Sequence, residues 1–292
     1  MELIHETFLG LPPADGDAGV LVLPLPLDIT ASWGRGTAGG PRAILDASRH
    51  IELYDEELEV ELHEAAGRIA THPAPELPCT PDGAAREIFA LASGLVDGRR
   101  LLLSLGGEHA VSAPLVEAHL KRWPDLCVLQ VDAHADMRSS YMGSAMNHAC
   151  PMRRIMERGV HVTSVGVRSM DASERGFVDG PSSRIHLAHR VAGHLSEMAA
   201  EIVGALPSEN VYLTIDLDGL DPSVVPAVGT PVPGGLGWYE TLHLIRALTR
   251  NRTVIGADVV ELAPRDGLHA ADAAAARLVA KIIGYHATGR RR

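Results

Sequence analysis

The sequence predicts an α/β protein whose central sheet is mostly parallel and is covered by helices on both faces. Short apolar runs alternate with longer amphipathic stretches along all 292 residues, which is typical of repeated βα units. The chain has no internal repeat and no linker long enough to divide it, so we expect one domain over residues 1–292. In folds of this class the ligand binds at the carboxyl ends of the strands.

The strands are predicted from short runs rich in Val, Leu and Ile, which are typical of buried strands in a parallel sheet. In chain order these are residues 20–27, 100–105, 126–131, 162–167, 211–217 and 254–260. The stretches between them show helical patterns. They predict helices at residues 41–49, 84–96, 113–122, 150–158, 195–205, 239–249 and 270–283.

Composition and charge narrow the range of functions. The formal net charge is −11, from 26 basic and 37 acidic residues, and 46% of the chain is hydrophobic. The acidic balance argues against a surface that binds nucleic acid and suits a small cationic substrate. The longest apolar runs are shorter than a membrane span, and Pro24, Pro26 and Asp28 interrupt one of them. We therefore expect neither a nucleic-acid partner nor a membrane segment.

Cysteine usage and the first residues bear on the compartment. The three cysteines, Cys79, Cys127 and Cys150, are odd in number and widely spaced, which disfavours a disulfide framework or a thiolate zinc site. The N-terminus lacks the basic region and the long apolar core of a secretory signal. We therefore expect a cytoplasmic protein.

Acidic and imidazole side chains stand at the ends of four predicted strands. The first two are adjacent, and within the other three groups they lie two or three residues apart; side chains two residues apart on a strand point to the same side. These residues are Glu108 and His109, then Asp132, His134 and Asp136, then Asp216 and Asp218, and finally Asp258 and Glu261. We expect two imidazoles and four carboxylates from these segments to converge above the sheet.

A set of six such ligands favours two metal ions over one. A single divalent ion rarely needs six protein ligands, whereas two ions about 3.5–4 Å apart share bridging carboxylates. Because the ligands are rich in carboxylate oxygen and include no thiolate, they suit manganese better than structural zinc. We therefore expect two Mn²⁺ ions.

Each motif taken alone has a simpler explanation. Asp132-Ala-His134-Ala-Asp136 could be a solvated turn or a helix cap, and Asp216 and Asp218 could be turn formers before Gly219. That every motif follows an apolar strand favours a shared site instead. The group His186, His189 and His194 has no carboxylates at matching spacing, so we expect exposed histidines there.

Residues 34–39, Gly-Arg-Gly-Thr-Ala-Gly, match a dinucleotide-binding fingerprint by letter and raise the alternative of an oxidoreductase. Pro24 and Pro26 interrupt the preceding strand, and the helix begins at Pro41, beyond the last glycine. Both observations disfavour that alternative.

The motifs resemble, in sequence order, the signatures of the ureohydrolase family, which contains the arginases and agmatinases. They are residues 105–109 (LGGEH), 132–136 (DAHAD), 216–222 (DLDGLDP) and 229–236 (GTPVPGGL), with 39–42 (GGPR) before them and 258–261 (DVVE) after. The resemblance covers nearly the whole chain. It implies a three-layer α/β/α fold, two Mn²⁺ ions, hydrolysis of a guanidino group to urea and an amine, and assembly into trimers or hexamers.

The resemblance also implies a role for each residue of the site. One metal would be bound by His109, Asp132, Asp136 and Asp216, and the other by Asp132, His134, Asp216 and Asp218, so that Asp132 and Asp216 bridge. His148 stands where the family has a histidine that transfers protons, which suits protonation of the departing amine. Glu261 stands where the family has the carboxylate that holds the guanidinium by paired charge-assisted hydrogen bonds. Asp136 would also orient the attacking hydroxide.

Departures from the family pattern indicate the substrate. Glu108 and Ala110 flank His109 where the family commonly has Asp and Ser, which we expect to change the surroundings of the ligands and not the ligands themselves. Met146 stands two residues before His148, where arginases usually have Asn, and an apolar side chain cannot hydrogen-bond the α-amino and α-carboxylate groups of arginine. We therefore expect Met146 to contact a decarboxylated substrate.

The expected reaction is the hydrolysis of agmatine to putrescine and urea, a step of polyamine biosynthesis. Aminopropylagmatine and guanidinobutyrate are alternative substrates, and arginine is a less favoured alternative. The alternative of another class is a catalytically silent, metal-binding regulatory relative. That alternative predicts lost ligands, whereas all six metal positions are present.

Overall fold

A computed structural model describes residues 6–13 and 18–289 and has nine of its strands in one sheet. The N-terminal residues 1–5, which enter the expectation of no secretory signal, lie outside the described residues. The strands are β1 (Val20–Leu25), β2 (Tyr54–Asp55), β3 (Val60–Glu61), β4 (Ile69–Thr71), β5 (Leu101–Gly106), β6 (Cys127–Val131), β7 (Val162–Val167), β8 (Asp179–Gly180), β9 (Ser183–Leu187), β10 (Asn210–Asp216) and β11 (Thr253–Val260). The large sheet has the order β4-β1-β5-β11-β10-β6-β7-β9-β8.

The helices of the described residues cover both faces of this sheet. They are α1 (Gly40–Ser48), α2 (Leu62–Ala65), α3 (Pro81–Leu95), α4 (Ser112–Leu120), α5 (Pro151–Met156), α6 (Ala188–Val191), α7 (Leu195–Gly204), α8 (Trp238–Asn251) and α9 (His269–Gly289). Helices α1, α7, α8 and α9 pack together, and α3, α4 and α5 form a second group. Each group covers its own apolar cluster, so the predicted three-layer α/β/α fold is confirmed.

All six predicted strands and all seven predicted helices are present, with ends shifted by a few residues. The sheet pairs are parallel except for β8 with β9, at one edge. The short strands β4, β8 and β9 were not predicted. They lie at the two margins of the sheet, where β9 is buried at only two of five positions and therefore lacks a continuous apolar run.

Pro24 lies inside β1, although the sequence suggests that it interrupts the strand. Val22 O accepts a hydrogen bond from His72 N on the β4 side, and residues two apart point their backbone groups to the same side. The backbone nitrogen of Pro24 therefore faces the β4 side, but the pairing of β1 with β4 has already ended at Val22 and Thr71. Its missing N–H costs no sheet hydrogen bond.

A buried histidine in α4 carries a pH dependence of stability. His119 is almost fully buried against Tyr212 and Trp123, and its Nδ1 donates to Leu115 O at 2.8 Å. A side chain on Gly256 would come within 2.4 Å of Nε2, so the glycine makes room for the ring. Burial lowers the pKa of His119 to about 4. The folded protein therefore holds this ring neutral.

We expect the free energy of unfolding to fall as pH drops below about 6.5, because the unfolded chain then binds a proton that folded His119 does not. Above the unfolded pKa the ring is neutral in both the folded and the unfolded state, so it does not lower the free energy of unfolding. Between pH 7.5 and pH 5 the free energy of unfolding decreases by about 2 kcal/mol because of this one ring. Urea unfolding at both pH values should show this loss in the wild type and a smaller loss in His119→Gln. His50→Gln, at an exposed position, is the control, and equal losses in all three proteins would contradict the assignment.

No helix in residues 6–13 and 18–289 combines the length and the apolar character needed to cross a bilayer.

Candidate metal centre

The predicted site residues meet above four adjacent strands, in the order β5-β11-β10-β6. Each strand ends at the same edge because the four are parallel. His109, Asp132, His134, Asp136, Asp216 and Asp218 come together there, as the sequence predicts. All of them are buried except His134, which is partly exposed.

His109 is the centre of the first group. Its Nδ1 lies 3.1 Å from Asp132 Oδ2, 3.0 Å from Asp136 Oδ2 and 3.3 Å from Asp216 Oδ2. The nitrogen is buried and makes no hydrogen bond among the described residues. Two ligands bonded at right angles to one cation at about 2.2 Å would be about 3.1 Å apart. The spacing therefore fits a metal ion between these atoms.

His134 forms a second group beside the first. Its Nδ1 lies 3.1 Å from Asp218 Oδ2 and 3.6 Å from Asp132 Oδ1. Asp132 thus presents one oxygen to each imidazole. Both groups have the ligand types and mutual distances needed to hold a cation, and Asp132 is common to them. A carboxylate shared in this way is the arrangement expected between two neighbouring ions.

The other nitrogen of His109 is held by a chain of buried hydroxyl and carboxylate groups. Nε2 lies 2.9 Å from Thr214 Oγ1, and that hydroxyl donates to Asp258 Oδ1 at 2.5 Å. The hydroxyl oxygen therefore accepts from Nε2–H, which leaves the lone pair of His109 on Nδ1, facing the carboxylates. Asp258 lies inside β11 behind the histidine, where Tyr212 also donates to it, and it is not a ligand.

Hydrogen bonds fix the orientation of two carboxylates of the site, Asp132 and Asp218. Gln130 Nε2 donates to Asp132 Oδ2 at 2.7 Å, and the backbone N–H of His134 donates to Asp132 Oδ1 at 2.6 Å. Thr230 Oγ1 donates to Asp218 Oδ2 at 3.1 Å. Such contacts hold ligand oxygens in place before an ion arrives.

Two site residues adopt left-handed backbone conformations, which are uncommon for residues with side chains. The φ angles are 55° at Asp136 and 68° at Glu261. Glu261 is held in this conformation by its N–H, which donates to Gly107 O at 2.8 Å, and by Oε1, which accepts from His109 N at 2.6 Å. Position 107 must be glycine because a Cβ there would lie 1.9 Å from Leu27 O. Strain of this kind is concentrated at functional sites.

The buried carboxylates repel one another when no cation is bound. Burial, and then the charge of Asp132, raises the pKa of Asp136 to about 7. Burial and the charges of Asp218 and Asp132 raise the pKa of Asp216 well above its usual range. A cation between these groups would remove this penalty. The donor set and the orphaned Nδ1 of His109 thus both fit divalent metal ions.

We expect Mn²⁺ to stabilise the fold, because the ion binds a site that only the folded chain presents. Stripping the protein with a chelator should lower the Tm, and adding Mn²⁺ should restore it. At free metal one hundred times the dissociation constant the gain is about 2.7 kcal/mol per site. Calorimetry on stripped and reloaded protein measures the effect. Mg²⁺ and Ca²⁺ serve as comparison ions, and a Tm that responds to no divalent ion would contradict the site.

A cleft of about 280 Å³ opens beside the two groups and is lined by Glu261, His148, Tyr141, Arg138 and Asp171, among others. His148 is half-buried, and burial lowers the pKa of its ring. Its ring nitrogens contact hydroxyls of the preceding loop, with Nδ1 3.2 Å from Thr30 Oγ1 and Nε2 3.3 Å from Ser32 Oγ. The structure therefore places the three predicted catalytic side chains, His148, Glu261 and Asp136, at one cleft, which is also lined by His134, Asp216 and Asp218.

Met146, which the sequence predicts to contact the substrate, is not among the residues that line this cleft. It lines a separate cavity next to α3, α4 and α5. The reason is a turn at residues 141–144, closed by two hydrogen bonds between Tyr141 and Ser144, after which Met146 lies away from the cleft. Tyr141 takes the place at the cleft wall that the sequence suggests for Met146.

Arg168 supports the loops of the site, and the sequence pattern does not indicate this role. Its guanidinium donates to five backbone carbonyls, including Asp218 O at 2.6 Å and Val232 O at 2.8 Å. It thereby ties the end of β7 to the loops that carry Asp218 and Thr230. A lone arginine carries no spacing signal, so only the folded chain reveals this contact.

The structure supports neither a metal site at the histidines of residues 186–194 nor a dinucleotide-binding turn at residues 34–39. His189 and His194 are exposed and His186 is partly buried, and none of them belongs to a candidate metal group of the described residues. Residues 26–36 separate β1 from the 3₁₀ turn Thr37–Gly39 that precedes α1, so the glycine motif does not form a tight strand-to-helix turn.

Comparison with known families and sequences gives a consistent result. The profile of the arginase family matches residues 18–284. An N(1)-aminopropylagmatine ureohydrolase of Synechocystis is 35% identical over 281 residues, which are 94% of this chain and 92% of that protein. An agmatinase of Pyrococcus horikoshii is 34% identical over 280 residues, which are 95% of each chain.

Solved structures agree with the sequence comparisons. The agmatine ureohydrolase of Thermoplasma volcanium superposes with a TM-score of 0.83 at 30% identity, covering 92% of this chain and 90% of that one. Proclavaminate amidino hydrolase of Streptomyces clavuligerus superposes with a TM-score of 0.89 at 25% identity, covering 97% of both chains.

Proposed function

This chain belongs to the arginase family, and we propose that it hydrolyses the guanidino group of agmatine to urea and putrescine with two Mn²⁺ ions. The observation that carries the proposal is the pair of ligand groups that share Asp132 beside a cleft lined by Glu261 and His148. A guanidinium carbon is a poor electrophile, so its hydrolysis needs a strong nucleophile, an oriented substrate and a proton for the leaving amine.

Divalent cations bound at this centre would supply the nucleophile, because they lower the pKa of bound water toward neutrality. The protein's own residues orient the substrate and provide the proton. Glu261 Oε1 accepts from the backbone N–H of His109, which leaves Oε2 to accept a charge-assisted hydrogen bond from a planar guanidinium. The burial that lowers the pKa of His148 keeps its ring neutral at rest, so the ring can accept a proton and pass it to the amine.

The charges of the cleft favour a cation without a carboxylate. Arg138 is the basic residue of the lining, and its charge is engaged by Asp171 at 3.7 Å and by the ring of Tyr141 at 4.7 Å. Asp171 and the buried Glu174 add negative charge at this part of the wall. A decarboxylated guanidine therefore suits the cleft better than arginine, and this support does not depend on Met146.

The second candidate substrate is N1-aminopropylagmatine. Three relatives at 35–38% identity over 94% of this chain carry the name of aminopropylagmatine ureohydrolase. Asp171 lines the cleft and is partly exposed, so the added amines of a longer cation would find a carboxylate there.

The deciding experiment is urea release by manganese-loaded protein from four compounds: agmatine, aminopropylagmatine, guanidinobutyrate and arginine. The proposal predicts the highest kcat/KM with one of the first two. A preference for arginine would contradict the substrate assignment. Two bound metals with no turnover of any compound would instead favour the silent regulatory relative. Homo-oligomeric assembly and a cytoplasmic location stay predictions.

A further inference from the structure

A second polar cavity lies near one margin of the sheet, where β7, β8 and β9 meet α7. Its volume is about 270 Å³, close to the 280 Å³ of the cleft beside the metal centre. Within the described part of the chain, the two spaces share no lining residue. The proposed function therefore gives this second cavity, here called the margin cavity, no task.

Strand geometry directs four polar side chains into the margin cavity. His161 and Thr163 lie two residues apart at the start of β7. Arg184 and His186 lie two residues apart in β9. Side chains two residues apart on a strand point to the same face, and Thr163 pairs directly with Arg184, so all four share one face of the sheet. Ile202 of α7 covers the same space.

Three of these side chains have no hydrogen-bond partner among residues 6–13 and 18–289. Thr163 is 4% exposed, and its hydroxyl contacts no donor or acceptor there. The ring of His161 is likewise unpaired. His186 is partly buried, and its Nε2 is buried without a partner. Because buried polar groups are normally hydrogen-bonded, these groups indicate that a ligand pairs with them.

Arg184 is the charge that acts most strongly on both imidazoles. Burial lowers the pKa of His161 and of His186, and the guanidinium of Arg184 lowers each pKa further. Asp179 and Glu201 act on His186 in the opposite direction, but its pKa stays lowered. Arg184 Nε lies 3.7 Å from Asp179 Oδ1, beyond hydrogen-bond distance, so the guanidinium keeps its N–H groups for another acceptor.

The donor set suits an anion better than a metal ion. Neither His161 nor His186 belongs to a candidate metal group in the described residues, and a cation would be repelled by Arg184. By contrast, the imidazole, hydroxyl and guanidinium groups can all donate hydrogen bonds. Donors from two strands that face one space beside a positive charge match the needs of a phosphate or sulfate group.

We propose that the margin cavity binds a tetrahedral oxyanion, phosphate or sulfate, either free or as the end group of a small ester. Arg184 supplies the charge, and Thr163, His161 and His186 donate to the oxygens of the ion. Since an anion favours the protonated form of an imidazole, binding takes up protons. The site is separate from the proposed hydrolysis and does not depend on it.

Sulfate is the first probe because it keeps both of its charges between about pH 6 and pH 8, so a pH dependence of binding belongs to the protein. Titration calorimetry on the manganese-loaded protein, at an ionic strength held constant with chloride, measures the affinity. We expect binding about tenfold tighter at the lower pH, as follows from a rise of about one unit in the pKa of one imidazole. Titrations in two buffers of different ionisation enthalpy measure the proton uptake. No binding, or binding that releases protons, would overturn the proposal.

Two variants locate the sulfate. Arg184→Gln removes the charge and keeps much of the length of the side chain, and Thr163→Val removes the hydroxyl and keeps the branched shape. We expect the affinity for sulfate to fall roughly tenfold or more in each. Arg190→Gln removes an equal charge from an exposed position in α6 outside the cavity, and it should bind sulfate as the wild type does. Unchanged binding in both cavity variants would place the sulfate elsewhere and contradict the site.

Methyl phosphate distinguishes a free ion from an ester. If it binds as tightly as sulfate and with the same dependence on Arg184, the cavity accepts the phosphate group of a larger molecule. If only sulfate and inorganic phosphate bind, the occupant is the free ion. Acetate, with one charge and two oxygens, should bind about tenfold more weakly, and an equal affinity for acetate would rule out the tetrahedral class.

The two proposals fail separately. None of the binding measurements uses urea release, so a protein that hydrolyses no guanidino compound can still bind sulfate in the margin cavity. An active enzyme that binds no sulfate there would overturn only the anion site.

Discussion

Asp132→Asn is expected to remove both metal binding and urea release. Asp132 presents one oxygen to each imidazole and belongs to both ligand groups. Asparagine keeps the shape of the side chain but replaces a charged bridging carboxylate with a neutral amide. We expect kcat/KM to fall about a thousandfold or more, since several kcal/mol of metal-based stabilisation is lost. Bound manganese per chain, measured by elemental analysis, should fall in parallel.

Asp125→Asn is a matched control for this variant. Asp125 is exposed and precedes β6, the strand that Asp132 follows, so the same change is made at the opposite end of one strand. Its contacts with Ser208 and Asn210 lie away from the metal centre. We expect wild-type metal content and activity. Full metal occupancy in Asp132→Asn would contradict the shared-ligand assignment.

Glu261→Gln is expected to remove activity while leaving the metals in place. Glutamine can still accept from His109 N through its amide oxygen, but it has no charge to pair with a guanidinium. The loss of a charge-assisted contact of about 3 kcal/mol corresponds to roughly a hundredfold in kcat/KM. Steady-state kinetics combined with manganese analysis separates this result from that of Asp132→Asn.

Glu209→Gln provides the comparison for Glu261. Glu209 stands just before β10, at the end of the strand opposite Asp216, and its side chain is 75% exposed. We expect kinetics like those of the wild type. If Glu261→Gln loses its manganese instead of its activity alone, the carboxylate serves the metal centre and not the substrate.

The sequence predicts the central strands and the metal ligands because both signals are local. Each strand that carries a ligand is a continuous buried run, as in β10, where six of seven residues are buried. Each ligand follows its strand within a few positions, so parallel pairing alone is enough to bring the ends together. The sheet margins were missed because β4 is three residues long and β9 is half exposed.

The position of the Met146 side chain could not be predicted from the neighbouring sequence. Its position two residues before His148 suggests a contact with the substrate, but the turn at Tyr141 and Ser144 turns it toward another cavity. The direction in which a loop side chain points depends on a hydrogen-bonded turn whose residues carry no strong pattern. Arg168 was missed for a related reason, since its partners are backbone carbonyls and no residue type marks them.

The sequence by itself predicted the fold class, the six side chains that meet at the strand ends, and His148 and Glu261, which line the cleft. The tertiary structure alone decided how those groups are oriented: Thr214 and Asp258 behind His109, and Thr30 behind His148. The physical reason is that ligand identity follows from residues adjacent to one strand end. The placement of the proton on the His109 ring follows instead from its contact with Thr214, which lies 105 residues away in sequence.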